Sequence, residues 1–144
     1  LFYWCTLDSI AFYEEGKFGI MTAQGQVIAE PKYSHVMHSN LRDVIIVRET
    51  TPESKEAHEG AIRTNGEVVL PMEYQSITPR KKHNILIIKK NDKYGLVDNN
   101  GNMILPMEYD SMSIYNEQGL AAIAVSKDGE SYLINEKGER VSEN

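Results

Sequence analysis

Leu70-Pro71-Met72-Glu73-Tyr74 recurs 35 positions later as Leu105-Pro106-Met107-Glu108-Tyr109. Self-similarity at such a period marks an array of one small supersecondary unit, which cannot bury its own apolar face and must stack on its neighbours. The match extends beyond the five residues. Gly60 to Ile77 aligns without a gap on Gly95 to Met112, sharing Gly60/Gly95, the pairs Asn65-Gly66 and Asn100-Gly101, Pro71/Pro106, Tyr74/Tyr109 and Ser76/Ser111. Upstream, Gly19, Gly25 and Tyr33 keep the same separations, six from Gly to Gly and eight from Gly to Tyr, with the proline displaced to Pro31. A fourth copy starts at Ser131-Tyr132-Leu133-Ile134 and turns at Lys137-Gly138, with no Pro or Tyr before Asn144. Residues 1–144 therefore read as a single repeat domain, with copies near 9–43, 44–83, 84–119 and 120–144 and the tail of a preceding copy at 1–8.

Each copy predicts three strands. Asn-Gly between apolar runs is the strongest short hairpin signal, because both central positions of a type I′ turn need positive φ. These turns join a strand such as Tyr94 to Asp98 to one such as Met103 to Leu105. Proline is then expected to end that ladder, since it has no N–H to donate. A further strand precedes each pair: Val44 to Val47, Ile85 to Ile88 and Leu120 to Val125, near-continuous apolar runs of the kind covered on both faces. The expected fold is all-β, an array of three-stranded antiparallel meanders of about 35–41 residues each, solenoid-like or a curved sheet. A small β-propeller is the alternative, although blades usually have four strands and longer periods.

The distance from the repeat Tyr to the next apolar strand is eleven in every case, whereas from that strand to the next aromatic-Gly landmark it is 16, 10 and 12. Length variation thus sits in one connection. Its longest version, Glu49 to His58, is polar, contains a proline and reads as a protruding loop, and insertions in repeat arrays often mark the binding face. The candidate binding residues are Glu49, Glu53, Lys55, Glu56 and His58 there, with Arg80, Lys81 and Lys82 in the one concentrated basic stretch. Gly19, Gly25, Tyr33, Gly60, Gly66, Pro71, Tyr74, Gly95, Gly101, Pro106 and Tyr109 form the structural motif. The tyrosines read as packing between units, with an exposed aromatic ladder as the rival.

Composition bounds the remaining possibilities. A formal charge of −6 argues against nucleic acid, which needs a basic excess. No apolar run approaches the roughly 20 residues that cross a bilayer. Cys5 is alone, so no intramolecular disulfide forms, and Phe2-Tyr3-Trp4 lacks the small residues of a lipidation cleavage site. The start at Leu1 without an initiator Met leads us to expect a lost leader, preceding segment or tag.

Catalytic chemistry is thin. His35 and His38 have a metal-like separation, but on a strand residues three apart face opposite ways, so no metal is expected. Glu73 and Glu108 occupy identical repeat positions, a whole unit apart, and read as scaffold rather than as an acid–base pair. Ser76 and Ser111 have no companion His at a fixed offset. No nucleophile elbow or Gly-rich phosphate loop occurs, so no cofactor and no enzymatic activity are expected.

Lys17-Phe18-Gly19-Ile20 and Lys93-Tyr94-Gly95-Leu96-Val97-Asp98, followed by Gly101-Asn102-Met103-Ile104-Leu105-Pro106 and Tyr109-Asp110, resemble the WG (KWG) repeat of bacterial proteins, and Gln118-Gly119-Leu120 resembles its Gly-Leu stretch. The resemblance covers residues 16 to 141. No copy keeps the Trp of the family name: its position holds Phe18, Glu59, Tyr94 and Ser131, and Tyr132 replaces the fourth Gly. The resemblance implies a non-catalytic scaffold of bacterial origin, in exported or cell-envelope proteins among others. It would act as a binding or protein-interaction module for a protein, peptide or glycan. A glycan- or cell-envelope-binding module, a structural spacer and, last, a hydrolase are the alternatives.

Overall fold

The computed structural model describes residues 2–5, 9–39, 41, 43–50, 58–80, 84–117, 120–135 and 137–141. They form four open antiparallel sheets, each a meander of four consecutive strands. The first holds β1 (Phe2–Cys5), β2 (Ser9–Glu14), β3 (Lys17–Thr22) and β4 (Val27–Tyr33). The second holds β5 (His35–His38), β6 (Val44–Glu49), β7 (His58–Arg63) and β8 (Val68–Tyr74). The third holds β9 (Ser76–Arg80), β10 (Ile85–Lys90), β11 (Lys93–Asp98) and β12 (Met103–Tyr109). The fourth holds β13 (Ser111–Glu117), β14 (Leu120–Lys127), β15 (Glu130–Ile134) and β16 (Arg140–Val141).

The all-β repeat is as expected, but each sheet has four strands, the number usual in a propeller blade, where the sequence suggested three. The extra strand is the segment just after the repeat Tyr. Tyr33, Tyr74 and Tyr109 each end one sheet, a single residue (Ser34, Gln75 or Asp110) follows, and the next sheet begins. Backbone bonds fix this corner: the Ser34 N–H donates to Arg48 O at 2.8 Å and the Asp110 N–H to Ser126 O at 2.8 Å.

Proline does not end its strand. Strands β8 and β12 run through Pro71 and Pro106 because these residues sit in a bulge. Between Ala61↔Leu70 and Glu59↔Tyr74, β7 advances two residues while β8 advances four. The same mismatch separates Leu96↔Leu105 from Tyr94↔Tyr109 and Ile20↔Ala29 from Phe18↔Tyr33. Residues in a bulge are freed from regular ladder bonding, which is where proline is tolerated within a sheet, and Pro31, one place off, falls in the same bulge. The repeat glycine lies under it. A Cβ on Gly60 would meet Leu70 O and Met72 Cα at 3.0 Å, and one on Gly95 would meet Leu105 O at 3.0 Å.

The turns are exchanged relative to expectation. At the Asn-Gly sites only glycine has positive φ, 93° at Gly66 and 86° at Gly101. The Gly66 N–H donates to Arg63 O at 2.9 Å and the Arg63 N–H to Glu67 O at 2.8 Å. This is the longer hairpin loop with glycine as a bulge residue, not type I′. Type I′ geometry occurs instead between the second and third strands of a sheet. There Glu15-Gly16 (51° and 85°), Asn91-Asp92 (54° and 62°) and Asp128-Gly129 (52° and 82°) are left-handed at both positions.

The chain clusters into two compact units, Leu1–Ile77 and Thr78–Asn144. In unit 1 the first and second sheets share a core of Ala11, Ile20, Tyr33, Val36, Ile45, Val47 and Ile62. In unit 2 the third and fourth share Ile85, Ile87, Leu96, Leu105, Tyr109, Met112, Ile123, Val125 and Ile134. Tyr33, Tyr74 and Tyr109 are all buried, so the rings are packing elements rather than an exposed ladder.

Candidate functional site

The position of the missing Trp is a cross-strand pair that differs in every sheet. Tyr13 pairs with Phe18, Arg48 with Glu59, Lys89 with Tyr94 and Ser126 with Ser131. In the first sheet the two rings meet edge-on at 5.0 Å; in the third the Lys89 ammonium lies 5.2 Å from the Tyr94 ring centre. In the second, Glu59 is 2% exposed, a burial that an isolated carboxylate does not tolerate. Arg48 supplies the counter-charge, with Nε at 2.9 Å and Nη2 at 2.6 Å from Glu59 Oε2. The Ile77 N–H donates to Oε1 at 2.7 Å. The charged pair thus ties β6 and β7 to the chain as it leaves the sheet, a structural role in place of the aromatic contact. Sequence reasoning saw only that the aromatic was lost; Arg48, eleven positions away, gives no local signal.

Glu49 and His58 form the last pair of the β6–β7 ladder, at the end of the sheet where the other three carry two-residue turns. Glu53, Lys55 and Glu56 lie outside the described residues, as do Lys81 and Lys82. Arg80 is exposed and ends β9. By the alternation of a meander, that is the end of its own sheet opposite to the β10–β11 turn. His35 is exposed, with Nδ1 3.4 Å from Ser34 Oγ, and the side chain of His38 lies outside the described residues. Among the described residues no group of three His, Cys, Asp or Glu side chains is placed to hold a metal, and no helix is long and apolar enough to cross a membrane.

Unit 2 has a charged corner built around Asp110. Lys93 donates to one of its carboxylate oxygens and the Asp128 N–H to the other at 3.2 Å. Lys127 donates to Glu108 at 2.7 Å. Burial, followed by the neighbouring Tyr132, raises the Tyr109 phenol above its ordinary value. The Arg140 guanidinium stacks 3.8 Å from the Tyr132 ring centre.

The hydrogen bond from Lys93, then that from Asp128, holds the Asp110 carboxyl below its usual 3.8; the same bond, and then the charge of Asp110, raises Lys93 above 10.5. A lowered carboxyl stabilises the fold at pH values above its unfolded one, and that contribution disappears as pH falls through the lowered value. A raised ammonium contributes up to its unfolded value and loses it as pH rises through the raised one. The Asp128 amide resonance is therefore expected to titrate below pH 3.8, and Asp110→Asn should abolish the inflection. An unchanged titration curve in that variant would show that another group is being reported.

Two concavities lie within the units. One of about 270 Å³ is on the fourth sheet, lined by Ser111, Ser113, Ala124, Ser131 and Tyr132 among others. The other, about 300 Å³, is in unit 1 between its two sheets and is mainly apolar, with Tyr33, Val47, Gly60, Ile62, Leu70 and Met72 in its wall.

Comparison with known proteins bears on the repeats. Residues 60–94 and 94–129 each match the WG containing repeat. No curated protein matches the sequence. Among solved structures, a crystal structure of the eukaryotic initiation factor is similar at 10% identity and a TM-score of 0.56, over 99% of this chain and 42% of that one. This is a likeness of fold, and the chain spans less than half the length of that protein.

Proposed function

We propose that this chain, whose residues 60–129 belong to the WG containing repeat family, is a non-catalytic interaction module that presents the tip between β6 and β7 to a protein or peptide partner. The observation that carries this reading is the asymmetry of the tips. Three sheets close that connection with two residues, whereas the second places residues 50–57 between the paired Glu49 and His58. A two-residue turn is sufficient to close the hairpin, so the added length serves something other than the fold. Its sequence, Thr-Thr-Pro-Glu-Ser-Lys-Glu-Ala, is polar and of mixed charge, the composition of an interface rim rather than of a core. Ser34 and His35, 3.4 Å apart, do not favour catalysis, because the Ser34 hydroxyl donates to Arg48 O.

Replacing residues 50–57 by Asp-Gly, the turn used at Asp128-Gly129, is expected to leave the melting temperature within a few degrees, since loop length has small thermodynamic effects. The same replacement should abolish binding to peptides selected on the intact array. Retained binding would defeat the proposal.

A further inference from the structure

An edge strand presents a row of unpaired N–H and C=O groups, and folded proteins blunt such rows with prolines, bulges, charges or very short strands. Among the described residues there are eight edge strands, and seven are blunted in one of these ways. Strands β4, β8 and β12 carry the bulge with Pro31, Pro71 and Pro106. Strand β1 has four residues and a shift of register, β5 has four residues and β16 two; β9 contains Pro79 and ends on Arg80. The exception is β13. Its sequence Ser-Met-Ser-Ile-Tyr-Asn-Glu has no proline, lysine or arginine, and all seven residues pair with β14 without a bulge, from Ser111↔Ser126 to Glu117↔Leu120.

The direction of the free groups follows from the ladder. Residues along an antiparallel strand bond alternately to one side and the other, and the Asp110 N–H donates to Ser126 O, so Ser126 turns its backbone toward β13 and its partner Ser111 faces β14. Ser113, Tyr115 and Glu117 do the same, which leaves the amides and carbonyls of Met112, Ile114 and Asn116 pointing out of the sheet. The repeat agrees: 35 places before Met112, the Ile77 N–H donates to the Glu59 carboxylate, 2.7 Å from Oε1, rather than to a strand. Thirty-five places after Glu59 stands Tyr94, which packs its ring against the unit 2 core with Lys89 over it and has no carboxylate to offer. The Met112 N–H thus lacks the cap that its counterpart has. The two faces of this edge differ. Met112 is 8% exposed and Ile114 packs against the unit 2 core. Ser111 and Ser113 are exposed on the other face, where they line the concavity of about 270 Å³ with Ala124 and Leu133. Glu117 is the strand's only charged residue.

We infer that β13 binds an extended peptide by strand addition, antiparallel to itself and bonded to the outward groups of Met112, Ile114 and Asn116. Main-chain bonds supply the affinity in this mode and alternate side chains the specificity. Peptide residues opposite Met112, Ile114 and Asn116 lie on the core side and are apolar; those opposite Ser111, Ser113 and Tyr115 lie on the face of the concavity and carry hydroxyls. The residue opposite Glu117 is basic, because opposite charges across a strand pair attract and like charges repel, and the net charge of −6 disfavours an acidic segment. This edge is separate from the β6–β7 tip and stands or falls independently of it.

The probe is acetyl-Lys-Val-Thr-Val-Thr-Val-Thr-amide, titrated into the full chain while amide hydrogen exchange is followed by NMR. Exchange at Met112 and Ile114 is expected to slow, and exchange at Ile77, whose amide is already bonded, to stay as it is. Two methylated probes test the register. N-methylation of the central Val removes the donor aimed at Ile114 O and should weaken binding about 10-fold or more, one lost hydrogen bond plus a steric conflict. N-methylation of the Thr that follows, whose N–H points away from β13, should leave the affinity nearly unchanged. Exchanging the probe's Lys for Glu should weaken it about 2- to 5-fold, the effect of one cross-strand charge pair. In the protein, Tyr94→Glu rebuilds the cap of Glu59, with Lys89 in the place of Arg48. It should slow Met112 exchange without peptide and weaken the probe about 2- to 10-fold, the equivalent of one net hydrogen bond; the methylated probes keep the test independent of that variant's folding. Replacing residues 50–57 by Asp-Gly should change none of these values. Unaltered exchange at Met112 and Ile114 with millimolar peptide, or equal weakening by both methylated probes, would overturn the assignment. So would protection of these amides in the free protein that fades on dilution, since the edge would then be pairing with a second copy of the chain.

Discussion

Arg48→Ala is expected to destabilise unit 1 by about 2–4 kcal/mol, toward the lower part of the range for breaking a buried ion pair. The variant leaves the Glu59 carboxylate 2% exposed with no cation, and a buried charge without a partner retains the whole of its desolvation cost. The value is held down because the Arg48 side chain is 37% exposed, so solvent already screens part of the attraction and water can enter the space left by the guanidinium. Glu59→Ala removes the charge and its partner's attraction together, but leaves the Ile77 N–H without its 2.7 Å acceptor. Its cost should be smaller, about 1–3 kcal/mol for an unsatisfied buried donor. Glu59→Gln keeps an acceptor for Ile77 and should fall between wild type and Glu59→Ala. Urea unfolding followed by amide exchange at Ile77 checks the order. Equal losses for Arg48→Ala and Glu59→Ala would mean that the lost hydrogen bonds, not the stranded charge, set the cost.

Gly19→Ala should lose about 2–3 kcal/mol, because overpacking a filled site usually costs 1–3 kcal/mol and the obstacle here includes backbone. The added Cβ would lie 2.8 Å from Ala29 O and 2.6 Å from Phe12 Cζ, and the carbonyl moves only if the bulge itself is rebuilt. Gly25→Ala is the control. Gly25 has φ of 91° and nothing within 4 Å of a built Cβ, so only backbone strain remains, about 1 kcal/mol. Denaturant midpoints of the two variants measure the difference. A Gly19→Ala protein as stable as Gly25→Ala would show that the bulge yields readily and that the repeat glycine is not required by the strand above it.

Much of the fold can be read from the chain because its signals are local. The spacing of Gly60, Gly66 and Tyr74, repeated at Gly95, Gly101 and Tyr109, depends on strand lengths and turns within one hairpin, and the apolar runs at Val44 and Ile85 are contiguous. The fourth strand was missed because His35-Val36-Met37-His38 and Ser76-Ile77-Thr78-Pro79-Arg80 are short and half polar, and the proline before them suggested an end to the sheet. The turns were exchanged for a related reason. Asn-Gly tolerates two left-handed residues but does not demand them, whereas Asn91-Asp92 adopts them because the hairpin allows only two loop residues between Lys90 and Lys93.

Of the candidate binding residues, the sequence located Glu49 and His58 at a place where length varies, and the ladder sets them opposite one another. It had no means of finding Arg48 or the open edge of β13. By itself the chain determined the period, the all-β class and the positions at which glycine and tyrosine recur, since each follows from residues a few places apart. Only tertiary structure decided that Glu59 is buried against Arg48, and that Gly60 lies beneath a bulged strand while β13 stands at an open edge. Those outcomes depend on which distant segment crosses a given residue, and burial, charge pairing and empty space are set by that crossing rather than by the residue's neighbours in sequence.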